Sequence, residues 1–286
     1  MTTANQEIVK ISYAMLSGQY GGQLIFPSDW VRADLASTIL EMPSEADLVT
    51  PTLGQKYPIG TQLRKNGSLY RYCKAGETMS APTGFLKINL LPTPGISSTG
   101  GDDGTALYTD AAAGDTALDL ANTNSRAKNF YEGAYLIMAN DTAGVRDRYT
   151  IIASDLYASA AHVTIYIAPP GLKRAHTTSN TNCGITLNPY GSVGSGLAHD
   201  CTWHSAIGMA RFPITSGYYF WLQTAGFCNG TGWSTWPGCT ASYREVYAMT
   251  DGSLRSYAAG YQRVGYLLPY TASDNGATNM MMQLDQ

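Results

Sequence analysis

Charge is what this chain has least of. Only 14% of its 286 residues are Asp, Glu, Lys or Arg, against roughly 25% in an average globular protein. The formal net charge is −3, and the densest basic spot in the second half is the isolated pair Lys173-Arg174. The electrostatic footprint of a nucleic-acid binder is therefore missing. No apolar run approaches the roughly 20 residues of a membrane-spanning helix. The opening MTTANQEIVK lacks the basic and then apolar regions of a secretory signal. The expectation is a soluble protein made in the cytoplasm. Five cysteines make no disulfide framework. Cys228 and Cys239 flank CNGTGWSTWPGC, a loop that a disulfide would close, but reduced, packed thiols are expected in a cytoplasmic product.

The motifs of catalysis are also missing. There is no phosphate-binding P-loop and no dinucleotide fingerprint after a strand. Gly194 and Gly196 flank Ser195 in GSVGSGLA, yet no helix follows as a nucleophile elbow requires, so a flexible loop is the reading. His199-Asp200-Cys201-Thr202-Trp203-His204 holds metal-ligand residue types without a standard ligand spacing, and reads as a loop with packed aromatics. Asp102 and Asp103 in GGDDGT lack the alternating acids and distal Glu of a calcium loop, and read as a solvated turn. Carboxylate pairs formed in space are invisible in a sequence, and the low acid count gives no reason to expect them. No catalytic, cofactor-binding or metal-binding residue is expected, and no cofactor; the chain does not read as an enzyme.

Gly (30) and Tyr (20), with Thr, Ser and Asn, take the place of the missing charge. Such a surface is poor for a free monomer and suits faces covered by neighbours, where Tyr is enriched. A neutral, soluble β protein is the blander alternative. TALDL, GAYLIMAN, RYTIIAS, HVTIYIA, GITLNPY, YYFWLQT, REVYAM and VGYLLPY are short, mostly β-branched and aromatic segments set between Gly, Pro, Asn or Asp. In HVTIYIA, Val163, Ile165 and Ile167 alternate with Thr164 and Tyr166, which predicts one buried face. The expected class is all-β: a β-sandwich or barrel, jelly-roll-like, with a small hairpin module and one short N-terminal helix. No repeat of fixed period favours a propeller or solenoid.

Composition divides the chain into an N-terminal arm and helix over 1–50, a small β module over 51–91, a linker over 92–106 and a main domain over 107–286. In PSDWVRADLASTILEMP, Val31, Leu35 and Ile39 share one helical face, Ser28 is placed to cap the start and Pro43 closes the end. Two readings stand for this region: an arm that reaches over a neighbour, or a strand and helix that cover the main core. Asn66-Gly67 suits a two-residue hairpin turn with positive φ at both positions. Tyr218-Tyr219-Phe220-Trp221, with Trp233 and Trp236, reads either as a sugar-stacking platform or as core or interface; large apolar residues on both faces favour the second.

Four stretches carry a resemblance: YPIGTQLRKNGSLYRYCKAGETMSAPTGFL, FYEGAYLIMANDTAGVRDRYTIIAS, ITLNPYGSV and FPITSGYYFWLQTAGFC, over 57–86, 130–154, 185–193 and 212–228. Together they resemble virion structural proteins of tailed bacteriophages, of the head decoration or capsid-associated (cement) type. CNGTGWSTWPGC and the N-terminal helix do not match that pattern. The resemblance implies a non-enzymatic protein on the head surface of the virion. Its implied partners are the major capsid protein and copies of itself, as a dimer or trimer, with no direct nucleic-acid or membrane contact. Another repeated virion component (major capsid, tail-tube or fibre protein) and a carbohydrate-binding module on the particle are the alternatives. The residues expected at an interface are Trp30, Val31, Leu35, Tyr218, Tyr219, Trp221, Trp233 and Trp236.

Overall fold

The computed structural model describes residues 7–11, 15–17, 22–38, 41–79, 85–90, 106–121, 127–140, 145–156, 162–179, 181–195, 205–232, 244–249, 251–257, 260–268 and 277–285. Their regular secondary structure is almost wholly antiparallel strand, in agreement with the all-β expectation in its sandwich form. Among them no sheet closes into a barrel. They group into two compact units, each assembled from three stretches of chain. The first takes in 1–14, 26–40 and 91–191, and the second 15–25, 41–90 and 192–286.

The first unit holds β1 (Ile8–Lys10), β4 (Trp30–Arg32), the single helical turn α1 (Ala33–Ala36), and β8 (Ala117–Ala121), β9 (Tyr135–Asn140), β10 (Val145–Ser154), β11 (His162–Ile167) and β12 (Thr181–Thr186). The last five form a sheet in the order β12-β9-β10-β11-β8. Val163, Ile165 and Ile167 are all buried in its core, as their alternation predicts, with Leu120, Leu136 and Ile151; Tyr166, expected on the open face, is buried as well, its hydroxyl donating to Asp155 Oδ2. β12 begins three residues before the predicted GITLNPY and ends before its Asn-Pro. Asn188 there turns the chain, its carbonyl accepting from Gly191 N and its side chain from Tyr190 N.

The predicted helix from Ser28 to Pro43 is corrected to one turn. Val31 pairs with Val9 of β1, which holds Trp30–Arg32 extended, as suits a β-branched and an aromatic residue. Ser28 Oγ accepts from Trp30 N, two residues on, so it makes a local turn in place of a helix cap. Thr38 ends the turn, with its N–H and hydroxyl both on Leu35 O. The apolar stripe itself holds: Val31 and Leu35 are buried, while Ile39 lies outside the described residues. Arg32 and Glu132, both buried, approach to 3.6 Å and tie β4 to the rest of this unit. For the described residues of this region, the strand and turn cover their own core.

The second unit is one twelve-stranded sheet. Its strands are β2 (Met15–Ser17), β3 (Gln23–Ile25), β5 (Gln62–Lys65), β6 (Ser68–Lys74), β7 (Leu86–Asn89), β13 (Val193–Ser195), β14 (Ala206–Met209), β15 (Tyr219–Thr231), β16 (Glu245–Ala248), β17 (Leu254–Arg255), β18 (Arg263–Leu267) and β19 (Ala277–Gln283). The main path runs β17-β16-β18-β19-β15-β6-β5-β3-β2, with β7 carrying β13 and β14 beside it. The Asn66-Gly67 turn forms as its sequence predicts, with φ of 52° and 73°, between paired Lys65 and Ser68. The hairpin lies mid-sheet, between β3 and β15.

β15 changes partner along its length. Tyr219–Ala225 pair with β6 and Ala225–Thr231 with β19. The change comes at a bulge between Gln223 and Ala225. Gly226 follows, at φ 97° and against the hairpin turn, where a Cβ would stand 2.6 Å from Gly67 O. Both the backbone angle and the space demand glycine. Gly226→Ala is expected to cost about 2 kcal/mol or more, since a strained φ alone costs roughly 1–3. Urea unfolding checks this, through a lower midpoint at an unchanged slope.

Candidate interaction surface

The Tyr-Tyr-Phe-Trp-Leu-Gln block opens β15, and the strand is buried on both faces from Phe220 to Thr224. Trp221 is 3% exposed and packs with Tyr57 and Tyr72, centroids 5.3 and 5.1 Å away. Such tilted contacts suit the ring quadrupoles. Each buried phenol has a polar partner: Tyr57 Oη donates to Glu41 O, and Tyr72 Oη accepts from Lys56 N. Burial pushes the Tyr57 hydroxyl well above the ordinary phenol range. Tyr219, half-buried, stacks on Tyr72 and carries Lys74 over its ring at 5.5 Å. The loop before this cluster is fastened by Asp47, which takes bonds from Ser44 N, Ser44 Oγ and Lys56 Nζ. Burial alone would raise the Asp47 carboxyl, but these partners hold it at about 2.

The expected interface residues therefore separate. Val31, Leu35 and Trp221 are interior. Trp30, Tyr218 and Tyr219 are partly exposed, with Trp30 in the first unit and the two tyrosines in the second. Trp233, Trp236 and Cys239, the His199–His204 cluster and Asp102-Asp103 lie outside the described residues. Cys228 is a free, buried thiol that burial pushes up to about 12. Ser195 is not in a loop. It ends β13, opposite Lys87 of β7, and its N–H donates to Glu77 Oε1 at 2.7 Å. Burial pulls the Lys87 ammonium down to about 8, with the Glu77 charge opposing.

An outward row that the sequence reading missed crosses the other half of β15. Phe227 pairs with Met281 of β19, Met281 with Tyr266 of β18, and Tyr266 with Glu245 of β16. Paired residues share a face of the sheet. The opposite face buries Cys228, Met280, Met282, Val246 and Leu267. Phe227 is 48% exposed, and Met281 and Tyr266 are partly exposed. Asn229 and Asn279 flank the row on one side. On the other, Arg263 binds Glu245 Oε1 and Gln283 Oε1. The alternation in Phe227-Cys228-Asn229-Gly230 carries this signal, but the run Met280-Met281-Met282 hides its continuation. No protein-family model matches this chain, and no curated protein or solved structure matches it.

Two outcomes follow for this unit. Trp221→Ala is expected to cost about 3–5 kcal/mol, as for a large buried aromatic, whereas Phe227→Ser stays within about 0.5 kcal/mol of the parent; parallel urea titrations compare them. Asp47→Asn is expected to lower stability above about pH 4, with the difference shrinking as the pH falls toward 2, because the depressed carboxyl then binds its proton in both states; thermal melts across that range read it out.

Proposed function

We propose that this chain is a non-enzymatic structural protein of a tailed-phage virion, seated on the outer head surface as a decoration or cement protein. The observation that carries the reading is the outward Phe227–Met281–Tyr266 row on a regular antiparallel sheet, in a chain with so little charge. Apolar side chains ranked on an open sheet face suit contact with another protein. The four phage-like stretches supply β5, β6, β9, β10, the end of β12 and the first ten residues of β15, so the resemblance falls on the frame of both units. Partners on this reading are the major capsid protein and further copies of the chain. Weak contacts repeated by symmetry sum to a large stabilisation of a shell.

A carbohydrate-binding role is a weaker second reading. With Trp221 interior, the described part of an aromatic platform is reduced to Tyr218 and Tyr219. Removal of residues 2–50 is a poor test of capsid binding, because β1 to β4 belong to that stretch and serve both units. Point substitutions separate binding from folding better.

Quantitative mass spectrometry of purified virions is expected to find this chain in hundreds of copies, in a simple ratio to the major capsid protein. A handful of copies would move it to a tail or fibre, and its absence would overturn the virion reading. Phe227→Arg with Met281→Arg is expected to lower head occupancy while the melting temperature of the isolated protein holds.

A further inference from the structure

The five-stranded sheet of the first unit has two edges, β12 and β8, and one short segment reaches both. Ala106 bridges Asn182 of β12, and Leu107 bridges Leu120 of β8. Tyr108 N donates to Asp119 O, and Ala121 N to Ala106 O. Leu107 and Ala111 are buried in the core, so the segment 106–111 is a strap with apolar side chains tucked beneath it. Its far end is held by a backbone pair with His176, beside the bond from Thr178 N to Asp110 Oδ1: Ala111 N donates to His176 O at 2.9 Å, and His176 N to Ala111 O at 2.8 Å.

His176 is a strange choice for that place. The residue is 2% exposed. Its Nδ1 lies 3.4 Å from Thr181 Oγ1 of β12, and its Nε2 is buried with no hydrogen-bond partner. A neutral imidazole tolerates this, because an unprotonated ring nitrogen lacks only an acceptor's partner. A protonated one does not: it would bury a charge and an N–H with nothing to receive it.

The charged and titratable groups around it do not make up the difference. Asp147 of β10 is the nearby carboxylate, but Arg174 Nε stands 2.7 Å and Lys173 Nζ 3.8 Å from its oxygens. The Arg174 guanidinium also opposes a second positive charge on the ring. Tyr149 of β10 is neutral in this range and accepts from Lys173 N. Asp110, on the strap, is engaged by Thr178 N.

We propose that His176 is an acid-sensitive latch: while neutral it keeps the strap 106–111 across the two edges of the sheet, and when protonated it releases the strap and opens the core of this unit. Burial holds the imidazole below its usual range, in keeping with this. The sign follows from linkage. The unfolded chain binds the proton more readily, so the latch is at full strength above the ordinary His value of about 6.5. It is lost as the pH falls through the lower folded value. Paired to its neighbours by isolated backbone bridges, the strap belongs to the low-stability end of the molecule.

Hydrogen exchange of the full chain tests the latch at pH 7.5 and pH 5.0, with rates corrected for intrinsic pH dependence. The amides of Tyr108, Ala111 and His176 are expected to exchange on the order of tenfold faster at pH 5.0, as local opening of the strap would produce. Amides of β9 and β10 should hold. In His176→Gln, which cannot take up the proton, the acid-induced rise should vanish. An equal rise in the variant, a rise spread evenly over the unit, or no rise at all would each overturn the latch. Should the variant fail to fold, an NMR titration of the parent decides: an imidazole of ordinary pKa, titrating with strap amides unchanged, overturns the proposal as well.

Discussion

Everything in the larger unit hangs on a strand that must leave one partner and join another without exposing its backbone. Thr224 is the extra residue at that point in β15, and it is wholly buried. An extra residue in a ladder leaves peptide groups without their strand partners, and leaving them bare inside a protein costs about 1–3 kcal/mol each. Gln223 braces this point with its side chain. Its Nε2 donates to Phe227 O at 2.7 Å and lies 3.3 Å from both Ala225 O and Ser68 Oγ, while its Oε1 accepts from Arg211. Leu284 N binds Thr224 O, which brings in the end of β19. The Gln223 amide thus joins the hairpin to the bulge, and a backbone bond from Leu284 ties the bulge to the last strand.

That junction sets where the surfaces fall. Before the bulge both faces of β15 are covered, and the aromatic block is core. Beyond it only one face is covered, and every second residue meets solvent. The row that begins at Phe227 exists because β18 and β19 extend the open face across three strands. The proposed role on a phage head draws on this half of the strand, although the resemblance was anchored in the other.

Local rules made much of the fold legible. Asn66-Gly67 forces its turn whatever surrounds it, and Val163, Ile165 and Ile167 state their buried face by period alone. The stretch from Ser28 was misleading because Val31 and Leu35 suit a helical face and a strand-then-turn equally. The tie was broken by β1, a partner some twenty residues away that no local pattern announces. β19 escaped notice for a different reason: three consecutive methionines have no polar member to mark the outward position, although only the middle one faces out. Ser195 sits among glycines that look like a loop, and only the register with Lys87 makes it a strand. The interface residues were chosen for size and aromaticity, which select core and surface alike.

The interleaving of the two units has a consequence in time. Each is stitched from three separate stretches, but the first has all of its chain by residue 191, whereas the second must wait for strands from the last stretch. β15 waits for β19, some fifty residues later, and β3 waits for β5 beyond an excursion into the other unit. Pairings over such separations close slowly, and unpaired strand edges invite association meanwhile. The first unit is thus free to close while β15 of the second still carries an edge that only β19 covers.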